Sequence, residues 1–526
     1  MATEKDFEKF LEAHEKIIIP LYSKLTNAMW DSEVTGNPKS YGEREKLSNL
    51  WDQIYSSKKH YEFLKNISEE KVSAPWLRRQ LVLLKNAFEA NQLPKKVIEE
   101  LNKRSTKLSM EFNTFRGTVD GKKVTQNDIE KALDQENDSN VRRKYWEAQK
   151  AVGAKVSNNL IELVKLRNSA AEALGYDNYY TMSLKLQEID PKWLNGIFDN
   201  LFSKTEKAFI KVKGKIDRQL AKRFRVSIDD LMPWHYSDAF FQKNPISGVS
   251  LNKYYKNLDI VYLATRFYQG IGLPIDQILA KSDLYEKERK CPHAFCITMD
   301  YKDDVRILMN AMNNAEQMGT MLHESGHAVY YLGTNKKLPF LLRDAAHIFT
   351  TEAIAMMFGK LSFDGRWMKN AMGLTEKEGK KLEKKGKEIN RADQLILSRW
   401  MQVMVNFEKG MYENPDQDLN GLWWNLVEKY QHIKKPEGRD KPDYASKIHL
   451  SISPVYYHNY QLGELMASQL HNYILDNIGH YNGNKNVGKY LRERVFFPGA
   501  SMRWDALVKY STGKDLGIKD FVKQYC

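Results

Sequence analysis

A mainly helical fold is predicted by three observations. Apolar residues recur three and four positions apart over long stretches, the Gly- and Pro-containing breaks between them are short, and one region alone has the composition of strands. With 526 residues, 42% of them hydrophobic, the chain can bury a large core, and it does not read as disordered.

Taken in order, "DFEKFLEAHEKIIIPLYSKLTNAMW" (6–30), "KVIEELNKRSTKLSMEFNTF" (96–115) and "SNNLIELVKLRNSAAEAL" (157–174) each carry an apolar stripe with charges between, as amphipathic helices do. Breaks are expected at "TGNPKSYG" (35–42), "DGKK" (120–123), "QKNPISG" (242–248), "KKPEGRDKP" (434–442) and "HYNGNKNVG" (480–488). None has the length of an interdomain linker, and no repeat or low-complexity tract interrupts the chain, so one domain spanning 1–526 is expected. "HAFCITM" (293–299) and "VRILM" (305–309), joined by "DYKDD", read as two short antiparallel strands. Their edge is one to which an extended peptide could add as a further strand.

Charge and cysteine content narrow the classes. The net charge is +14, but basic and acidic residues are interleaved, and the densest run, "EKEGKKLEKKGKE" (376–388), reads as a solvated helix face. A nucleic-acid partner is therefore not expected. No apolar run is long enough for a membrane span or a signal peptide, so a soluble protein without a membrane partner is expected. Cys291, Cys296 and Cys526 make no disulfide framework. That suits a cytoplasmic protein; the alternative is a periplasmic or secreted one whose leader has been removed.

The stretch "MLHESGHAVYYLG" (321–333) carries the chemistry. Asn314 with Gln317 offers a helix start and Gly333 a stop, so His323 and His327 lie four apart on one helix face and can reach one metal ion. Glu324, beside the first histidine, can address a water on that metal without ligating it. A catalytic zinc site needs a third protein ligand, and "RDAAHIFTTEAIAMMFGKL" supplies Glu352, expected in the first turn of a new helix capped by Thr350 or Thr351. His347, in the loop before that helix, is a weaker rival. Two imidazoles, one carboxylate and an open position favour one zinc per chain.

Further on, Lys447 and His449 share a side of an extended segment, and Tyr457 and Tyr460 share a helix face, so all four can converge on one anion. Aromatic core packing explains "PVYYHNY" equally well from the residues alone.

These residues resemble the angiotensin-converting enzyme family of zinc peptidyl-dipeptidases. The likeness runs through "FLEAHEKIIIPLYSKLTNAMWDSEVTG", "CPHAFCITMDYKDDVRILMN", "HESGHAVYYLGTNKKLPFLLRDAAHIFTTEAIAMM" and "ASKIHLSISPVYYHNYQLGELMASQLH", in that order. It implies a helical ellipsoid with a deep central channel, and a zinc ion on His323, His327 and Glu352 with Glu324 as general base. It further implies that His293 and Ala294 belong to a strand holding the substrate backbone. His449 and Tyr460 would stabilise the oxyanion, and Lys447 and Tyr457 would bind the substrate's free carboxylate. A glutamine completes that carboxylate site in the family; "MPWHYSDAFFQ" offers Tyr236 or Gln242.

Three departures stand out. Met356 occupies the place of an aspartate that orients a ligating histidine, Asn459 occupies the place of an arginine in chloride-responsive relatives, and the stretch from His449 to Tyr460 is one residue longer than expected. The second argues against chloride activation, and the third leaves Tyr456 as a rival to Tyr457. The expected activity is release of dipeptides from the carboxyl end of short peptides by a monomer or small homo-oligomer. The alternatives are an oligopeptidase of the thimet or oligoendopeptidase type and a catalytically silent helical binding protein.

Overall fold

The computed structural model describes residues 3–245 and 251–526; the last three residues of the expected break at 242–248 lie outside the described residues. Within them the protein is 70% helical, with 22 helices and two small antiparallel sheets of two strands each, so the fold is mainly α as expected. Among the described residues no helix is long and apolar enough to cross a membrane.

The first helix, Glu4–Thr35, opens on a reciprocal cap: the Asp6 N–H donates to the Thr3 hydroxyl (3.2 Å) and the Thr3 N–H to the Asp6 carboxylate (3.0 Å). It closes at Gly36, whose φ of +60° only glycine adopts freely and whose missing side chain leaves room for the Arg289 backbone. Gly36 and Asn37 alone separate it from the next helix, Pro38–Tyr55. The expected eight-residue break is this short because Pro38 fits the first helical position, where no backbone donor is needed. The stretch expected at 96–115 is the helix Lys95–Thr114, and that at 157–174 is the last part of Ser139–Ala173, with Leu174 as its C-cap. At 120–123 the expected break is a hairpin turn: Asp120 and Gly121 both have positive φ and join the strands Thr118–Val119 and Lys122–Lys123. The Asp-Gly pair is the signal for such a turn.

The chain divides into two compact units. One comprises the chain up to Gln92, the part after the undescribed segment as far as Lys387, and Leu462–Phe521; the other comprises the chain from Leu93 to that segment, Glu388–Gln461 and Val522–Cys526.

In the first unit, the strands Phe295–Thr298 and Val305–Leu308 pair antiparallel and pack beside the helix Ala315–Gly333. That helix starts where expected: Asn314 accepts the Gln317 N–H (2.8 Å). Gly333 is its last residue, yet not as a left-handed cap. Thr334 leaves in an extended conformation, and a Cβ on Gly333 would come within 2.5 Å of the Phe496 ring, so glycine serves close packing there. The same helix lies against Ile348–Gly359, and the approach is tight at Gly326, where a Cβ would meet the Ala355 Cα at 2.8 Å. Beside His323, a Cβ on Gly359 would be 3.4 Å from that histidine's Cβ. Small residues on both helices therefore set the separation of the two backbones.

In the second unit, Gly153 on the helix Ser139–Ala173 lets the Pro442 carbonyl approach to 2.3 Å of the absent Cβ, which seats the turn Asp443–Ser446 and the short helix His449–Ile452 that follows. Buried Arg167 donates to the carbonyls of Ser451 (2.7 Å) and Leu450 (3.4 Å). Val455 has a φ of +53°, a strained conformation for a β-branched residue, and its N–H donates to the buried Glu408 carboxylate (2.7 Å).

Substituting Gly326→Ala would force the two helices of the first unit apart. We expect a loss of about 1–3 kcal/mol in unfolding free energy, the range for overpacking a tight core. Urea denaturation of the two proteins measures it, and equal midpoints would show that the helix contact is looser than its geometry implies.

Candidate metal centre and companion residues

The helix Ile348–Gly359 is capped by His347, whose Nδ1 accepts the Phe349 N–H (3.3 Å), not by Thr350 or Thr351. Glu352 is consequently the fifth helical residue, in the second turn, where the helix terminus no longer explains a carboxylate. The cap also accounts for His347, which stands outside the donor cluster.

His323, His327 and Glu352 come together, with one donor atom from each lying within 4.8 Å of the others. Glu352 Oε2 is 3.7 Å from His323 Nε2 and 3.8 Å from His327 Nε2, and the two imidazole rings are 4.9 Å apart. Each of the three is at least seven-tenths buried. Burial holds the His323 imidazole at a pKa of about 4, and burial with the neighbouring His323 holds His327 well below its ordinary value. Both rings are therefore neutral, the form that ligates a metal. Burial raises Glu352 to about 7, and the nearby Glu464 carboxylate adds to that. Glu464 is itself paired with Lys360.

Glu324 is buried beside the cluster. Burial first, then the Glu352 charge, raise its pKa to about 8, while a hydrogen bond from the Cys296 backbone N–H opposes them. That N–H belongs to the Phe295–Thr298 strand, which places Glu324 next to the strand expected to receive a peptide. His293 and Ala294 precede this strand in a bend, and His293 is exposed; the strand begins two residues later than the resemblance implies.

The donor set fits a divalent transition metal: two neutral imidazoles and one carboxylate converge, and two buried carboxyls stand together with neutral histidines, an arrangement that a cation completes. The second position on His327 is served as well. His327 Nδ1 lies 2.7 Å from the Thr351 hydroxyl, which accepts its proton when Nε2 is the ligating atom. The sequence marked Thr351 only as a rival cap; in the structure its hydroxyl faces His327 Nδ1.

The companion residues gather within the second unit. Lys447 Nζ donates to Gln242 Oε1 (2.8 Å) and stands 6.0 Å from the centre of the Tyr457 ring. Tyr236 is elsewhere: its hydroxyl donates to Asp217 (3.0 Å) and accepts from Lys213 (2.6 Å), so Gln242 is the partner of Lys447. The Tyr457 ring is 5.2 Å from His449 and 5.5 Å from Tyr460, and its hydroxyl accepts from Trp400 Nε1 (3.4 Å). Tyr456 instead packs on Tyr460 (5.2 Å). Burial depresses Lys447 to about 8, with the Asp238 charge opposing, and depresses His449 to about 4, with Lys447 adding. Asn459 donates to Gln187 (3.3 Å).

The sequence profile of the angiotensin-converting enzyme family matches residues 1–236 and 242–525. The chain belongs to this family. It is 23% identical to the angiotensin-converting enzyme of Haematobia irritans exigua over 73% of this chain and 70% of that one. It is 21% identical to the angiotensin-converting enzyme of Sus scrofa over 98% of this chain and 42% of that one. A third relative, the inactive angiotensin-converting enzyme-related protein of Caenorhabditis elegans, is 22% identical over 62% of this chain and 40% of its own length. The chain spans less than half the length of the mammalian relatives it matches. The family is one of zinc-dependent metallopeptidases acting on peptides, and in this chain His323, His327 and Glu352 form a cluster that could hold a metal ion.

The Thr351 contact yields a test. Thr351→Val keeps the shape and removes the acceptor for His327 Nδ1, so affinity for zinc should fall about 10- to 100-fold, the usual effect of deleting a group that orients a ligand. Competition titration against a chelator reads it; unchanged affinity would mean that Thr351 does not orient the ring.

Proposed function

We propose that this chain, acting as one catalytic domain, is a zinc-dependent peptidase that releases dipeptides from the carboxyl end of short peptides. The observation that carries the reading is the convergence of His323, His327 and Glu352 with buried Glu324 held beside them. His323 Nε2, His327 Nε2 and a Glu352 carboxylate oxygen would hold the zinc. Bound there, it would supply Lewis acidity toward a carbonyl oxygen and lower the pKa of a water toward neutrality. Glu324 accepts the proton of the attacking water and returns it to the departing amine nitrogen. His449 and Tyr460 donate hydrogen bonds to the carbonyl oxygen as charge develops on it. Lys447, with Gln242 and Tyr457, pairs with the substrate's terminal carboxylate, and His293 and Ala294 lie along the peptide backbone. A single family profile running through both compact units supports their working as one domain.

The inactive nematode relative makes a binding protein the second reading. The full donor set and Glu324 favour catalysis here, because a binder has no need of a buried carboxylate next to a metal position. With Asn459 bonded to neutral Gln187, chloride activation is not part of the proposal.

Two substitutions separate base from ligand. Glu324→Gln should retain zinc while the rate drops by about two to four orders of magnitude, as loss of general-base catalysis does. Glu352→Gln should chiefly weaken zinc binding. Metal analysis and peptide hydrolysis on both proteins check this, and loss of metal in both would overturn the assignment.

The carboxylate site is tested with a peptide and its amidated twin. A charge-assisted pair is worth about 1.5–3 kcal/mol, so the free acid should be cleaved roughly 10- to 100-fold more efficiently, giving a dipeptide and a shortened chain. Lys447→Ala should remove most of the difference. Because the Lys447 ammonium is present below about pH 8 and lost above it, the acid-to-amide ratio of kcat/KM should fall as pH rises through that value. Equal cleavage of both peptides with internal fragments, seen by mass spectrometry, would favour an oligopeptidase.

A further inference from the structure

The sequence match to the family passes over residues 237–241, immediately before Gln242. In that stretch Asp238 folds the chain around its carboxylate. Oδ2 accepts the backbone N–H groups of Gln242 (2.9 Å) and Lys243 (3.3 Å), and Oδ1 accepts the N–H of Phe240 (2.9 Å) and the side-chain Nε2 of Gln242 (3.4 Å). The turn it closes is strained: Phe241 has a φ of +50° and its ring is fully packed, 4.6 Å from that of Tyr236. Four hydrogen bonds to one carboxylate are what hold this conformation, since charge-assisted bonds are about twice as strong as neutral ones.

The contacts also settle which way the Gln242 amide faces. An amide has a donor end and an acceptor end of nearly the same shape, and it can turn over unless its neighbours distinguish them. The Asp238 carboxylate can only accept and the Lys447 ammonium can only donate, so Gln242 presents Nε2 to the first and Oε1 to the second. One Nε2 proton is used by Asp238 and the other is left to donate. Asp238, Gln242 and Lys447 all line one cavity of about 520 Å³, to which Phe112, Phe115 and Phe240 contribute apolar walls. A ligand anion in that cavity meets an ammonium and an oriented amide N–H.

We propose that Asp238 is a positioning residue that determines the preference for substrates with a free carboxylate, by locking the Gln242 amide and the turn that carries it. The inference rests on the reading of Lys447 and Gln242 as the carboxylate site. Without the Asp238 carboxylate only Lys447 is left to orient the amide, its Nε2 loses a fixed acceptor, and the turn itself loses its anchor. The effect belongs to binding of one kind of substrate end and not to the chemical step.

The experiment uses the full-length zinc-loaded chain, a free-acid peptide and its amide, and calorimetric binding of the product dipeptide in both forms. For Asp238→Asn we expect KM for the free acid to rise about tenfold, with kcat and the kinetics of the amide within about twofold of the parent. Binding of the free dipeptide should weaken in parallel. In a Gln242→Ala background the same substitution should add less than about twofold, because the group it acts through is gone. Asp238→Glu keeps the charge but moves it away from the amide, and should raise KM for the acid severalfold; it provides the test if the asparagine variant does not fold. An equal loss on acid and amide, an acid preference kept in whichever variant folds, or full additivity with Gln242→Ala overturns the assignment. If the parent protein shows no acid preference, the carboxylate reading itself fails, and the role of Asp238 with it.

Discussion

The chemistry of the first unit depends on how closely two helices approach. Ala315–Gly333 and Ile348–Gly359 meet at Gly326, with room for no side chain between that residue and Ala355. Only at such a separation do side chains as short as histidine and glutamate bring Nε2 and Oε2 to within 4 Å from two different helices. A wider spacing would leave the same three residues as separate polar groups in a helical core. The motif and its glycine are thus one device: His323 and His327 face the metal position, and Gly326, between them in sequence, admits the helix that brings Glu352.

Burial is the second constraint, and it works in opposite directions on the groups it encloses. It keeps both imidazoles neutral and so available as ligands, and it pushes the Glu324 and Glu352 carboxyls up toward neutral pH. A cation reverses that pressure by favouring the ionised carboxylates. In the second unit the same effect lowers Lys447, whose ammonium lies among the rings of Phe240, Trp400 and Tyr457 with Gln242 as its oxygen partner. A buried ammonium whose oxygen partner is a neutral amide is poised to gain from a carboxylate.

Strain marks the loops that carry these groups. Val455, two residues before Tyr457, and Phe241, one before Gln242, both adopt positive φ. Each is held by a carboxylate, Glu408 for the first and Asp238 for the second. Conformations that an unconstrained chain avoids persist where surrounding hydrogen bonds over-determine them.

The sequence by itself determined the elements and the donors. Helical periodicity gave the long helices, strand composition gave the pair at 295–308, and the spacing of His323, Glu324, His327 and Glu352 gave a candidate metal site, because these follow from local geometry that neighbouring residues dictate. Tertiary structure decided what needs partners distant in the chain. It gave Thr351 to His327 as a hydrogen-bond acceptor and made His347 the cap, whereas either threonine could have capped the helix by local preference alone. It chose Gln242 over Tyr236 for Lys447, because Tyr236 is claimed by Lys213 and Asp217. It gave Gly333 a packing role in place of a turn, since the Phe496 ring that requires it lies far along the chain. Local propensity fixes where an element starts and which face it shows; which of two chemically similar side chains meets a given partner depends on distances that only the packed chain sets.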